Sequence, residues 1–204
     1  VGEPDADDIF LRKYNSTGDL EWSETWGNGG DGQTANPYDV WGIYGMEIDQ
    51  ENNIYITGRT DYLAAGGDDM VLINYNTSGD VQWFETWGYS GNEVGYDILI
   101  DSNDDLIVSA YSIGDEELYL IKFNITGSQK WNKTMGTFHR ESGFQLDLDS
   151  YDNYYVIGSL NDNNHDITFL ILNRTGNVQA QKIWSTTSLD NGEHIQLNKN
   201  GEIF

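Results

Sequence analysis

The 204-residue chain has no cysteine, which rules out a disulfide framework, a thiolate nucleophile and a thiol metal site. Only two prolines interrupt it. No apolar run approaches the roughly 20 residues that a membrane span requires. Basic side chains are scarce: ten Lys and Arg stand against 34 Asp and Glu, a net charge of −24. A field of that sign repels phosphate backbones and anionic lipid, which excludes nucleic acid as a partner. The opening stretch, Val1 to Asp7, holds neither a Met nor the apolar core of a signal peptide, so the chain reads as a mature or excised form. No Gly-x-Ser-x-Gly elbow, phosphate loop or dinucleotide fingerprint occurs.

Aromatics are plentiful, with seven Trp and thirteen Tyr. They supply enough apolar surface to fold an acidic chain that would otherwise read as disordered. Their placement is periodic. A segment running from Asp8 to Gly18 recurs from Asp69 to Gly79, Glu117 to Gly127 and Asp166 to Gly176, each time ending in an Asn-x-Ser/Thr-Gly turn. An aromatic-rich segment follows at a fixed offset: Trp22 and Trp26, Trp83 and Trp87, Trp131 and Met135, Ala180 and Trp184. A third segment ends at Asp49, Asp101, Asp149 or Asn198, and a fourth starts five residues later at Ile54, Leu106, Tyr154 or Ile203. Short runs of Ile, Val, Tyr, Phe and Trp bounded by Gly, Asn and Asp are strands, so each unit of roughly 50 residues holds four, the period of propeller blades.

The Asp8-x-Phe-Leu-x-Lys-Tyr segment, the Asn-x-Thr-Gly turn, the pairs Trp26-Gly27 and Trp87-Gly88, and the stretch from Asp49 to Gly58 resemble the SBBP-type seven-bladed propeller repeats. More distantly they resemble NHL and quinoprotein-like propellers. The resemblance implies an all-β fold, a β-propeller of four-stranded antiparallel blades forming one domain over residues 1–204. The repeats span about 8–58, 69–109, 117–158 and 166–204. It also implies that the Met46 to Asp49 strand is innermost and that the chain starts on the third strand of a blade and ends on the second. The termini then share one blade of a closed four-bladed ring, or the chain is a segment of a larger ring. Where the family has Gly-Asn before the last strand, this chain has Asn52-Asn53, Asp104-Asp105 and Asp152-Asn153. Asn and Asp accept positive φ, so the turn is expected to survive.

Alternating strands place the turns after strands one and three on one face and the remaining loops on the other. The Asn-x-Ser/Thr-Gly turns at Asn15, Asn76, Asn124 and Asn173 therefore share a face; each is an N-glycosylation sequon, and Asn132 begins a fifth. Equally, Asn and Gly are simply good turn residues. On the opposite face, nine extra residues between Trp26 and Asp49 carry Asp31, Tyr38, Asp39 and Trp41, a candidate ligand loop with Trp41 as its stacking residue. A neutral insertion reads the same way. Glu93, Glu141 and Asp190 each stand eight positions before a strand-ending Asp or Asn; they form a partial carboxylate ring for Ca²⁺, or each caps its own turn. The repeated Trp residues are a sugar-stacking stripe or packing between blades.

These readings lead to an exported, cell-surface or secreted binding module, N-glycosylated, contacting protein or glycan through its long-loop face, without a cofactor other than Ca²⁺. A structural subunit of a surface layer or filament, self-associating by an incomplete edge strand, is the alternative. An enzyme of quinoprotein or polysaccharide-lyase type is disfavoured by the lack of grouped acid, base and nucleophile and by the few basic residues.

Overall fold

A computed structural model describes residues 9–26, 40–61, 64–138, 144–160, 166–188 and 190–204, and only the backbone of Ile9, Trp26, Trp41 and Thr137. The β-branched and aromatic runs form fourteen strands: β1 (Ile9–Tyr14), β2 (Leu20–Trp26), β3 (Val40–Ile48), β4 (Ile54–Thr60), β5 (Asp69–Tyr75), β6 (Val81–Trp87), β7 (Glu93–Ile100), β8 (Leu106–Ser112), β9 (Glu117–Phe123), β10 (Gln129–Thr137), β11 (Leu146–Leu148), β12 (Tyr154–Ser159), β13 (Ile167–Leu172) and β14 (Val178–Trp184). They make a two-stranded sheet, β1–β2, and three four-stranded meanders: sheet I (β3–β6), sheet II (β7–β10) and sheet III (β11–β14). Every pairing is antiparallel. After β14 the chain makes one further bridge, Leu197 to Ile203.

The apolar residues fall between sheets and not within one central core. Leu11 and Trp22 pack on Ile54, Ile56 and Ile73 of sheet I. Tyr55, Met70, Leu72 and Trp87 of sheet I meet Ile98, Val108 and Ile121 of sheet II. Leu99, Tyr111 and Leu120 meet Tyr154 and Leu170 of sheet III and Phe144 just before it. Tyr155 and Phe169 then close on Ile195. A sheet buried on both faces needs apolar residues on both, which is why β5 and β8 are buried along their whole length.

Two details of the repeat have a physical cause. The strand-one-to-two turns place Asn52, Asp104 and Asp152 at φ of 64°, 57° and 58°, with Gly201 at 77° in the fourth, so the Asn and Asp substitutions are accommodated as expected. The glycines ending the second, third and fourth Asn-x-Ser/Thr-Gly turns lie under tryptophans of the preceding sheet. A β-carbon on Gly79, Gly127 or Gly176 would stand 3.0 to 3.2 Å from ring atoms of Trp22, Trp83 or Trp131. These three Trp residues therefore pack between sheets, and the sugar-stacking reading does not apply to them.

Candidate binding face

The turns after strands one and three gather at one end of the sheets. Where the first strands of sheets I, II and III run out side by side, a pocket of about 340 Å³ opens, lined by Glu47, Asp49, Gln50, Asp101, Ser102, Asp104, Asp149 and Asp152 among others. A larger one of about 770 Å³ adjoins it between sheets I and II, with Tyr55, Asn74, Gln82 and Ile125 in its wall. The lining is rich in acceptors, suited to ligands that donate hydrogen bonds or carry positive charge.

Three of these carboxylates are held by their own turns. Asp49 Oδ1 accepts the N–H groups of Glu51 and Asn53 at 2.9 and 2.8 Å, and its Oδ2 accepts Asn53 Nδ2 and the Tyr55 hydroxyl. Asp149 repeats this with Tyr151, Asn153 and Tyr155. Burial opposes the charge on both, but the hydrogen bonds outweigh it and hold each carboxyl below the usual range. Asp101 keeps the backbone bonds, to Asn103 and Asp105, but its second oxygen meets Lys122 Nζ at 2.6 Å and the Tyr154 hydroxyl at 3.0 Å. Lys122 also reaches Asp105 Oδ2 at 3.1 Å, and Lys130 closes on the other oxygen of Asp105. Burial again opposes ionisation of Asp101, and the Lys122 bond leads the interactions that nonetheless lower it.

Along the first strands of the sheets, Asp97 accepts the N–H of Leu146 at 2.8 Å and Asp147 that of Leu197, so a carboxylate of one unit holds the first strand of the next. Burial pushes the carboxyls of Glu47 and Asp97 up, and for Glu47 the charge of Asp97 adds to it. Tyr44, Tyr96 and Phe144 form a row of rings across the same strands, with centroids 5.3 and 5.1 Å apart. Each stands five residues before the strand-ending Asp, a regularity present in the sequence but broken into Tyr, Tyr and Phe.

The expected site residues are placed as follows. Asn15, Asn76, Asn124 and Asn173 each close an identical turn, the side-chain oxygen accepting N–H groups two and four residues on. The Nδ2 atoms of Asn15 and Asn76 donate to Asp19 and Asp80. Asn132 lies within β10, opposite Ile121. Asp31, Tyr38, Asp39 and Glu141 lie outside the described residues. Trp41 belongs to β3, which reaches back to Val40 and takes in the end of the expected insertion. Glu93 Oε2 accepts the N–H of Tyr89 and Asp190 that of Thr186, so both cap their own turns. Among the described residues no three carboxylates or histidines converge.

No family profile matches the chain. No curated protein matches it either. Among solved structures it is similar to a protein of unknown function from Bacteroides caccae, at TM-score 0.55 and 14% identity over 92% of this chain and 57% of that one. It is also similar to an unknown-function protein from Dyadobacter fermentans, at TM-score 0.58 and 10% identity over 93% and 60%. The chain thus spans less than two thirds of either. At these identities the likeness is one of fold.

Proposed function

We propose that this chain is a run of β-propeller blades displayed outside the cell, binding its partner through the acidic pocket where three sheets meet. The carrying observation is that Glu47, Asp104 and Asp152, drawn from three repeats, line one cavity with Asp49, Asp101 and Asp149. Serial packing of four-stranded meanders supports the propeller reading. A wall of carboxylates favours an ammonium, guanidinium or hydroxyl-rich ligand, so the partner is a basic protein segment or a glycan. Glycans at Asn15, Asn76, Asn124 and Asn173 would project from the same end of the sheets and frame that pocket, since the backbone bonds of each turn use the side-chain oxygen and a glycosylated Nδ2 at Asn15 or Asn76 keeps one N–H for Asp19 or Asp80.

Screening wild type and a Glu47→Gln, Asp104→Asn protein against glycan and lysine-rich peptide arrays tests this. A ligand bound by wild type and lost at least tenfold by the variant is expected; equal binding by both sinks the pocket. Intact mass of natively produced protein, with and without deglycosylation, tests export separately.

One observation favours a second reading, self-assembly. Met46 and Ile48 pair with Ile56 and Ile54, whose side chains are buried against β1–β2, yet they stay 54% and 49% exposed. Ile98, at the place of Met46 in sheet II, is 2% exposed. A further strand pair laid on this face, from another repeat or another copy, would bury them. Sedimentation velocity across a concentration series, with Met46→Lys as comparison, reads whether copies do so.

A further inference from the structure

Five carboxylates are buried among the described residues: Asp69, Glu93, Asp101, Asp105 and Asp152, the last accepting the N–H and the hydroxyl of Ser102. Asp101 and Asp105 have Lys122 between them. Asp69 and Glu93 are 2% and 0% exposed and take part in no ion pair among the described residues; Arg59 is committed to Asp68 at 3.3 Å. The two meet at Gly88: a β-carbon there would stand 2.4 Å from Asp69 Oδ1 and 2.5 Å from Glu93 Oε2. Asp69 Oδ2 accepts the N–H of Ala65, but Oδ1 has no partner. Glu93 takes the N–H of Tyr89 and the Ser112 hydroxyl, both at 2.9 Å. Bonds from Gly67 to Gly91, Glu93 to Asp68 and Asp68 to Asn92 hold the two segments together, so the pair cannot swing apart.

The pairing recurs in the sequence. Asp69 and Glu93 are 24 positions apart, as are Glu117 and Glu141, and Asp166 and Asp190. Gly88 falls 19 after Asp69, and Gly136 falls 19 after Glu117; Ser185 takes that place in the third set. The first unit, with Asp8, Gly27 and Trp41, lacks the second acid.

Two buried carboxylates facing one space need a positive charge between them. We propose that Asp69 and Glu93 hold a divalent cation, calcium by its preference for carboxylate, hydroxyl and main-chain oxygens. The partner of Glu93 is then Asp69, the acidic residue opening the third strand of the preceding sheet. With two carboxylates, the remaining ligands are Ser112, main-chain oxygens and water.

A chain of charge −24 gains stability from any divalent ion by screening, so the test is a difference between variants. Melting temperature is measured in chelator and in millimolar calcium at fixed ionic strength. A rise of several degrees is expected for wild type and for Asp80→Asn, an exposed control, and at most half of it for Asp69→Asn or Glu93→Gln. An equal rise in all four overturns the site. A wild type indifferent to calcium but steadied by acid also overturns it, assigning the charge to a shared proton. Should the variants not fold, terbium luminescence of wild type, sensitised through the adjacent Trp87, is expected to fall as calcium is added; luminescence that calcium leaves unchanged overturns the proposal.

Discussion

The turn at Asp101 and the turns at Asp49 and Asp149 have the same backbone and the same capping carboxylate, yet they satisfy its outer oxygen differently. In sheets I and III the donors are local and neutral, Asn53 with Tyr55 and Asn153 with Tyr155. In sheet II asparagine becomes Asp105, the position of Asn74 or Ile171 becomes Lys122, and the hydroxyl comes from Tyr154 of the neighbouring sheet. A local solution stabilises a turn; the charged one also couples two sheets, at the cost of a buried ion cluster that fails badly if one member is lost.

Breaking that cluster should have the largest effect. Lys122→Met leaves Asp101 buried without a cation, and Asp105 with Lys130 alone, and is expected to cost about 3–5 kcal/mol in denaturant unfolding. Transplanting the solution of sheet I, Lys122→Asn with Asp105→Asn, should return most of that loss; no recovery would mean that the three turns are not equivalent. Tyr154→Phe removes the hydroxyl bonded to both Lys122 and Asp101, with an expected loss of about 2 kcal/mol by the same assay, since hydrogen bonds to charged groups are the stronger kind. Asn153→Ala, in a local turn, should cost about 1 kcal/mol.

The smallest difference is in pH dependence. Asp101, Asp49 and Asp149 all have lowered carboxyls, so their stabilisation is present above the ordinary carboxylate range and is lost as pH falls through their lowered values. Lys122 is raised, chiefly by its bond to Asp101 acting against burial, so its contribution holds below the usual lysine range and is lost only in strong alkali. The transplanted protein should therefore lose slightly less stability than wild type on acidification and show no alkaline loss from this position, as read from unfolding midpoints across pH.

How much could be read from sequence follows from what repeats. Strand starts at Ile54, Leu106 and Tyr154, the positive-φ turn residues and the packing of Trp22, Trp83 and Trp131 each recur at fixed offsets, so the pattern reveals them. Lys122 gives no repeat signal: its position holds Lys13, which pairs at the surface with Glu21, then Asn74 and Ile171, and only folding brings it to Tyr154, 32 residues on. The pocket escaped for a related reason. Its walls come from three units whose turns look alike one at a time, whereas the unequal loop lengths lie at the opposite end of the strands. The carboxylate pair was half visible: the loop acids stood out, but their partners sat among the strand-opening residues, where an acid reads as a boundary.

The contact of Trp22, Trp83 and Trp131 with Gly79, Gly127 and Gly176 has an evolutionary consequence. The first three units carry the key, a tryptophan on the strand that follows the turn, and the last three carry the lock at the turn, so the two middle units hold both and their joints are interchangeable. A duplicated unit arrives with both halves already matched, and a lost one leaves two faces that still fit. Such a chain can change its number of sheets by gene duplication or deletion without inventing a new interface, while each copy remains free to acquire a private feature such as the lysine of sheet II.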